Sequence, residues 1–573
     1  MEQVSHHKWV HRAENIAAAI DQLMALPGLT LPTAQVLASR GFNETAEVET
    51  FLKGRLGSLP DPFLMSGMTA AASRIVSVIE AGEKILVHGD YDVDGISGTS
   101  LLVETLRCFG ADVDYFIPLR LVEGYGLSST AIEKAAMEGI KVVLSVDCGI
   151  TAVEEAALAR RHGIDLVITD HHLPGDELPD ACAIVDPHLG SCSFPDKNLA
   201  GVGVAFFLMI AVRKLLRERG CFSSTAEPDL RDGLDLVALG TIADVVPLVG
   251  VNRLLARAGL TVLEKSKRPG VRALKDVAEV KEVNCGAVGF RLAPRLNAAG
   301  RLEDAALGVR LLLETDDEAA TEAARKLDLS NRRRQEIEEV TLQQAMDQLA
   351  ARPTEENRTI VLADERWHPG VIGIVASRLV ERFHRPVVLI AVDGEQGKGS
   401  ARSIPGFHLH GNLDCCREHL RSFGGHECAA GLSISSADIP SFALAFENRG
   451  KKILDEDDLM PRILHDGELS FDELGLQEVE QLASLAPFGM GNPEPVFLAR
   501  NLSLRQVQIV GKNHLRFTAC QGGYSFAGIG FAMAPRKGSF SGPVDMLFSP
   551  ALNHYRGRTS VQLKLRDFQP SSL

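Results

Sequence analysis

From about residue 80 the chain alternates short, almost unbroken apolar runs with longer amphipathic stretches. KILVHGD, DVDYFIP, IKVVLSVDCG, IDLVITDHH and CAIVDPH are rich in β-branched residues and of strand length. Stretches of helical period, such as SGTSLLVETLRCFG and TAVEEAALARRHG, separate most of them. That alternation predicts βαβ units in a parallel sheet, and runs this apolar fit a sheet covered by helices on both faces. DLVALGTIADVVPL (235–248) is a further buried segment.

The pattern then changes twice. Residues 316–352 are charged, Ala-rich and free of Gly, polar nearly all round, as in one long helix bridging two domains. A second α/β unit follows in RTIVLADE, VIGIVASRLVERF and PVVLIAV. After about 460, ILHDGELSF, LSLRQVQIVG, HLRFTACQ, YSFAGIGF and VQLKLRDF read as strands joined by turns. Five or so short strands suit a small barrel, with an OB-fold the leading choice. The expected order is a mainly helical region (1–75), a parallel-sheet α/β domain (76–315), a linking helix (316–352), a smaller α/β domain (353–455) and an all-β domain (456–573). A length of 573 residues suits that many domains.

Composition narrows the partners. A net charge of −15 argues against a protein that coats nucleic acid or anionic membrane, though not against an enzyme with a local basic groove. The N-terminus lacks a secretory apolar stretch, and no run is long enough to span a bilayer. The ten cysteines form no CxxC pair, and only Cys415 and Cys416 are adjacent, so structural zinc and a disulfide framework are poor readings. A reducing cytoplasm fits best.

Charge is concentrated where the predicted strands end. His88, Asp90, Asp92 and Asp94 follow KILV, Asp147 follows KVVLSV, and Asp170, His171 and His172 follow DLVIT. In a parallel sheet those ends share one edge, where open α/β sheets bind ligands. Asp244 is a further acid in an apolar context. One aspartate at a strand end is ordinarily a turn former or helix cap; three strands ending together in acids are not. Such carboxylates repel one another, and burying them uncompensated is costly. A divalent cation removes the difficulty: an Asp-rich set with imidazoles favours Mn²⁺ or Mg²⁺, and this many ligands suits two ions about 3.5–4 Å apart. Asp90 and Asp170 are expected to brace ligands rather than bind. His162, His188 and His408 read as ordinary loop or surface histidines.

HGDYDVDG, SVDCGI, TDHH and TIADVVPL, in this order, resemble the four motifs of the DHH phosphoesterase superfamily. GSARS (399–403) and FGGHECAAG (423–431) resemble its associated DHHA1 domain, and WHPGVIGIVASRL with LAPFGMGNPEPVF narrows the resemblance to the RecJ family within it. The resemblance runs from about residue 8 to the end. It implies an α/β protein with a parallel-sheet DHH domain and a smaller DHHA1-like domain joined by the long helix, plus a C-terminal OB-fold.

It also implies roles. His88 and Asp92 would hold one metal, Asp94, His171 and Asp244 the other, and Asp147 would bridge them. His172 would face the scissile phosphate as an acid. Ser400, Arg402, Gly424, Gly425 and His426 would grip a terminal 5′-phosphate. Arg120, Tyr125, Arg295 and Arg301 are candidates for strand contact, and the run Asn331–Arg334 reads equally as groove lining or a solvated face. Lys512, Arg516 and Arg556 are the barrel's scattered cations. The implied activity is 5′→3′ degradation of single-stranded DNA to 5′-mononucleotides by two Mn²⁺ or Mg²⁺ ions, in DNA repair and recombination. The implied partners are single-stranded DNA, single-strand binding protein and a helicase, with no membrane and a monomeric chain. Two competitors remain: the same chemistry on pyrophosphate, short RNA or cyclic dinucleotides, and a non-catalytic single-strand-binding replication scaffold. Scaffolds of the second kind have lost metal ligands, and this chain keeps all of them; a plain single-strand binder using the barrel alone would leave the acidic cluster unexplained.

Overall fold

The computed structural model describes residues 7–119, 126–265, 267–302, 304–351, 357–539 and 542–571. They divide into two units. One holds 46–332 with 485–494; the other holds those up to 45, 333–484 and those from 495 onward.

The first unit is built on five parallel strands: β1 (Lys84–Gly89), β2 (Asp112–Phe116), β3 (Val142–Val146), β4 (Asp165–Thr169) and β5 (Ala183–Val185). Their spatial order is β2-β1-β3-β4-β5. The order reverses between β1 and β3, so the carboxyl ends of those two strands flank the crevice where doubly wound sheets bind ligands. Alternate side chains serve opposite faces. Ile85, Val87, Val142, Leu144, Val146 and Val167 join one core. Leu86, Val143, Leu166 and Ile168 join another with Leu127, Ile132 and Ala156. Burial on both faces is why these strands read as continuous apolar runs.

Two helices carry acids to the strand ends. Asp92 caps helix Val93–Cys108, accepting the amides of Asp94 (2.9 Å) and Gly95 (3.2 Å). Asp244 stands at the C-terminus of helix Leu234–Ala243. A single guanidinium ties the two helices: Arg268 meets both carboxylate oxygens of Glu104 at 2.8 Å and Asp235 at 3.2 Å. Burial weakens the Arg268 charge, but these two carboxylates outweigh it and raise the pKa.

In the second unit, helix Asp317–Ala350 leads from the first unit into a five-stranded sheet. Its strands are β6 (Ile360–Asp364), β7 (Val387–Asp393), β8 (Gln396–Arg402), β9 (Ser422–Gly425) and β10 (Ala429–Ser435), in the order β9-β10-β8-β7-β6. Only β6 and β7 are parallel. The barrel comprises β11 (Phe497–Val510), β12 (His514–Gln521), β13 (Tyr524–Gly530), β14 (Val544–Tyr555) and β15 (Arg558–Pro570). The order β11-β12-β13-β15-β14 closes through β11 with β14, which abolishes free edges.

Two departures from expectation concern local pattern. ILHDGELSF divides in two: Arg462–His465 pairs in parallel with an N-terminal strand, Lys8–His11, inside a region expected to be mainly helical, while Gly467–Glu468 pairs in parallel with Phe497–Leu498 of β11. Buried Asp466 fastens the pairing, accepting from Arg12 Nε (3.0 Å), Ser39 Oγ (2.8 Å) and the Val496 amide (2.9 Å). Strand β14, which runs unbroken through Pro550, had no counterpart in the sequence reading.

Arg268→Met should lower the stability of the first unit by about 3–5 kcal/mol, because it strands buried Asp235 without its counter-charge. Denaturant unfolding with a native-like midpoint would show that the tie contributes little.

Candidate metal centre

The register of the sheet aligns its acids. Gly89, Val146, Thr169 and Val185 are paired across β1, β3, β4 and β5. The next residue on each strand is an aspartate: Asp90, Asp147, Asp170 and Asp186. Four neighbouring strands thus end in a row of carboxylates, all of them buried. Asp147 has φ 63°, and so does Val245, immediately after Asp244. Non-glycine residues rarely hold this left-handed backbone, and where they do it marks functional sites.

Asp94 lies behind the row. Its carboxylate accepts the Gly201 amide (2.6 Å) and the Val202 amide (3.0 Å) at the N-terminus of helix Gly201–Glu218. Packing here leaves no slack: a Cβ on Gly201 would lie 2.7 Å from that of Asp147, and one on Gly240 would lie 2.5 Å from Asp94 Oδ1.

The carboxylates strain against one another. Burial, then Asp92, pushes Asp94 up to about 7. Burial and Asp94 push Asp244 up to about 9 and Asp147 well above the carboxylate range. At the centre is His171. Burial and the charge of His172 hold its pKa down to about 4, so its ring is neutral. Its Nε2 is buried, makes no hydrogen bond, and faces Asp147 Oδ1 at 3.0 Å, Asp244 Oδ2 at 3.7 Å and Asp94 Oδ2 at 3.9 Å. A buried nitrogen lone pair aimed at three repelling carboxylates fits a divalent cation and little else.

Three groups of ligand atoms lie close enough to hold an ion among the described residues: Asp94, His171 and Asp244; Asp90, Asp92 and Asp147; and Asp147, His171 and His172. Asp147 belongs to two of them. His88 belongs to none. It is buried at the end of β1, where its Nε2 accepts the Ser128 amide at 3.1 Å and its Nδ1 faces Cys148 Sγ at 3.8 Å. Burial holds it neutral, with its pKa down at about 4. Asp90, expected as a brace, lies in one of these groups with Asp92 and Asp147.

His172 differs from its neighbour. Burial opposes its charge, but its Nδ1 bonds to Asp170 Oδ1 at 2.7 Å and raises its pKa to about 9. Asp170 is fixed in turn by the amides of Ile150 (2.9 Å), His171 (2.7 Å) and His172 (3.2 Å). Although burial raises Asp170, these bonds and the His172 charge bring it below its ordinary value. The pair therefore presents an imidazolium beside the acidic row.

Sequence reasoning passed over Asp186 and left His188 as an ordinary loop or surface histidine. Asp186 closes the aspartate row, is wholly buried, and is pushed up to about 7 by that burial; its Oδ1 accepts the His188 amide at 2.7 Å. The signal was present in CAIVDPH, a predicted strand ending in an acid and an imidazole.

In the second unit β8, β10 and β9 bring the phosphate-grip candidates together. Ser400 is level with Gly431, which is level with Gly424; Arg402 is level with Ala429, whose carbonyl accepts the His426 amide at 2.8 Å. Arg402 Nη1 reaches Ser400 Oγ at 3.3 Å. The two glycines are unlike. A Cβ on Gly425, whose φ is 142°, would lie 2.4 Å from the Ala429 carbonyl oxygen; one on Gly424 would meet nothing within 4 Å.

The strand-contact candidates diverge too. Arg120 and Tyr125 lie outside the described residues. Arg295 is committed internally, to Asp328 (2.9 Å) and the Arg291 carbonyl (2.6 Å). Arg301 is half-buried in the last turn of helix Ala293–Leu302. Asn331 and Arg334 are buried, Arg334 paired with Glu338 at 2.5 Å, whereas Arg332 and Arg333 are exposed. On the barrel Lys512, Arg516 and Arg556 are exposed, as are Tyr524, Phe531 and Tyr555; Arg556 lies 5.2 Å from the Tyr555 ring centroid.

A doubly wound sheet with a cation-demanding row of acids beside an imidazolium defines a metal-dependent hydrolase of phosphate esters. Residues 84–241 match the N-terminal domain of the DHH family, 356–452 the DHHA1 domain and 465–567 the RecJ OB domain. The single-stranded-DNA-specific exonuclease RecJ of Dickeya dadantii is 40% identical over 94% of this chain and 95% of its own. A crystal structure of Thermus thermophilus RecJ in complex with Mn²⁺ superposes with a TM-score of 0.83 at 32% identity, covering 97% of this chain and 78% of that one. The same protein in complex with Mg²⁺ gives 0.77 at 30% identity, covering 97% and 77%. The chain belongs to the RecJ family of single-stranded-DNA-specific exonucleases.

Asp147→Ala should abolish hydrolysis and leave the fold intact, and Asp170→Asn should cost about 10–100-fold by releasing His172. Near-native turnover of Asp147→Ala in Mn²⁺ would remove Asp147 from the centre. Separately, Gly425→Ala should destabilise the second unit by about 1–3 kcal/mol while Gly424→Ala melts as the parent does. Equal melting of the two would show that the β9–β10 turn tolerates a side chain.

Proposed function

We infer that this chain hydrolyses single-stranded DNA from its 5′ end, releasing 5′-mononucleotides. The observation that carries the chemistry is the buried, unbonded Nε2 of His171 facing Asp147, Asp94 and Asp244. These residues, with Asp90 and Asp92, would hold manganese or magnesium, which would supply positive charge against the phosphate oxygens and lower the pKa of the attacking water toward neutrality. His171 offers a neutral lone pair because burial keeps it unprotonated. Asp147, shared by two ligand groups, holds their geometry together. His172 supplies the proton. Held as imidazolium by Asp170, it donates to the 3′-oxygen that leaves as the P–O bond breaks.

Polarity is read from the second unit. Arg402 beside Ser400, with open space over Gly424, forms a cradle for a terminal phosphate. A barrel bearing exposed aromatics and cations suits a polymer without sequence preference. A pyrophosphate or cyclic dinucleotide needs no such track, and a scaffold needs no ion centre. Single strands arise from duplex by strand separation, so a helicase fits upstream, with single-strand binding protein on the same substrate. Among the described residues no single helix is long and apolar enough to cross a membrane.

Digestion of end-labelled single strands should release label from the 5′ end first, and blunt duplex should resist. Arg402→Ala should reduce use of 5′-phosphorylated strands at least about tenfold more than that of 5′-hydroxyl strands, the scale of a charge-assisted hydrogen bond. First release from the 3′ end would overturn the polarity. Equal losses on both ends would move Arg402 to another part of the strand.

A further inference from the structure

Gly373 is the second residue of helix Ile372–Phe383, within WHPGVIGIVASRL. Glycine is disfavoured against alanine in a helix. The backbone gives no reason for it, since Gly373 is absent from the left-handed positions. What the glycine provides is room. A Cβ there would lie 2.8 Å from Ser400 Oγ and 3.1 Å from Arg402 Nη2. Both are ends of movable side chains, so a methyl group would displace them rather than break the helix. Arg402 has little latitude otherwise: its Nη1 is bonded to the Ala401 carbonyl at 2.8 Å and to Ser400 Oγ at 3.3 Å.

We propose that Gly373 is a positioning residue for recognition of the 5′ end: the space left by its missing side chain is where the Arg402 guanidinium and Ser400 hydroxyl lie, and it sets their direction. The proposal rests on the reading that Arg402 and Ser400 hold the terminal phosphate. A side chain at 373 would meet only Ser400 and Arg402 within 3.6 Å, so it deflects Arg402, weakens capture of the phosphorylated end and leaves the ligands of the ion centre unchanged.

The test compares Gly373→Ala, Arg402→Ala and the double variant, each as the full chain in Mn²⁺, on single strands carrying a 5′-phosphate or a 5′-hydroxyl. Gly373→Ala should melt at or above the native midpoint, since alanine is the better helix former. Its KM for phosphorylated strands should rise about tenfold, on the scale of one charge-assisted hydrogen bond. Its kcat should stay within a few-fold, and its preference for phosphorylated over hydroxyl ends should fall. The double variant should be no more impaired than Arg402→Ala, because both changes remove one interaction. Native preference in Gly373→Ala, fully additive losses in the double variant, or a lowered melting midpoint with equal losses on both ends would each overturn the proposal. Native preference in Arg402→Ala would overturn the underlying reading and the proposal with it, whereas loss in Arg402→Ala beside native behaviour in Gly373→Ala would leave that reading standing and remove Gly373 alone.

Discussion

The mutual repulsion of buried carboxylates is the constraint on which the first unit turns. Asp94, Asp147 and Asp244 all titrate above the ordinary carboxylate range because burial and neighbouring acids oppose their charge. A fold selected for stability alone would not gather them. The surrounding structure over-determines their positions instead: helix N-terminal amides grip Asp94, Arg268 ties two helices that carry acids, and Gly201 and Gly240 let Asp147 and Asp94 approach closer than a side chain there would allow. Left-handed backbone at Asp147 and Val245 is part of the same cost. A divalent cation turns that repulsion into attraction, so the arrangement that opposes folding is the one that binds metal.

Two neighbouring histidines show how environment divides labour. His171 and His172 have ring centroids 4.5 Å apart. Burial and its partner's charge leave His171 neutral, a lone-pair donor; Asp170 makes His172 a cation, a proton donor. The ring is the same in both, and the carboxylate behind one of them decides the role. The arrangement recurs as a rule of acid–base sites, in which titratable groups are pushed apart in pKa by what surrounds them.

Much of this was legible in the sequence, for physical reasons that can be named. Strands β1, β3 and β4 were readable because burial on both faces forces continuous apolar runs, and their acids were readable because they follow those runs directly. Asp186 escaped because a single acid after a three-residue strand looks like a turn former; only the register from Gly89 to Val185 puts it in the row. No spacing could show that His88 Nε2 meets the Ser128 amide, or that Arg295 is committed to Asp328, since those partners lie 40 and 33 residues away. Strands β8 to β10 carry GSARS and FGGHECAAG, and their glycines suppress the β-branched signal that marks a strand. The pairing of Lys8–His11 with Arg462–His465 joins segments 454 residues apart, which no local pattern encodes.

The glycines of the second unit separate two uses of a missing side chain. Gly425 is favoured by packing and by a φ of 142°, so any other residue strains the strand turn. Gly424 and Gly373 have no such backbone demand. One leaves open space beside the strand and the other leaves space filled by Ser400 and Arg402. A motif read as a run of glycines thus contains a structural position next to a permissive one, and only the neighbour met by a hypothetical Cβ tells them apart. Where that neighbour is backbone, the glycine serves the fold. Where it is the mobile end of an arginine, the glycine serves whatever the arginine holds.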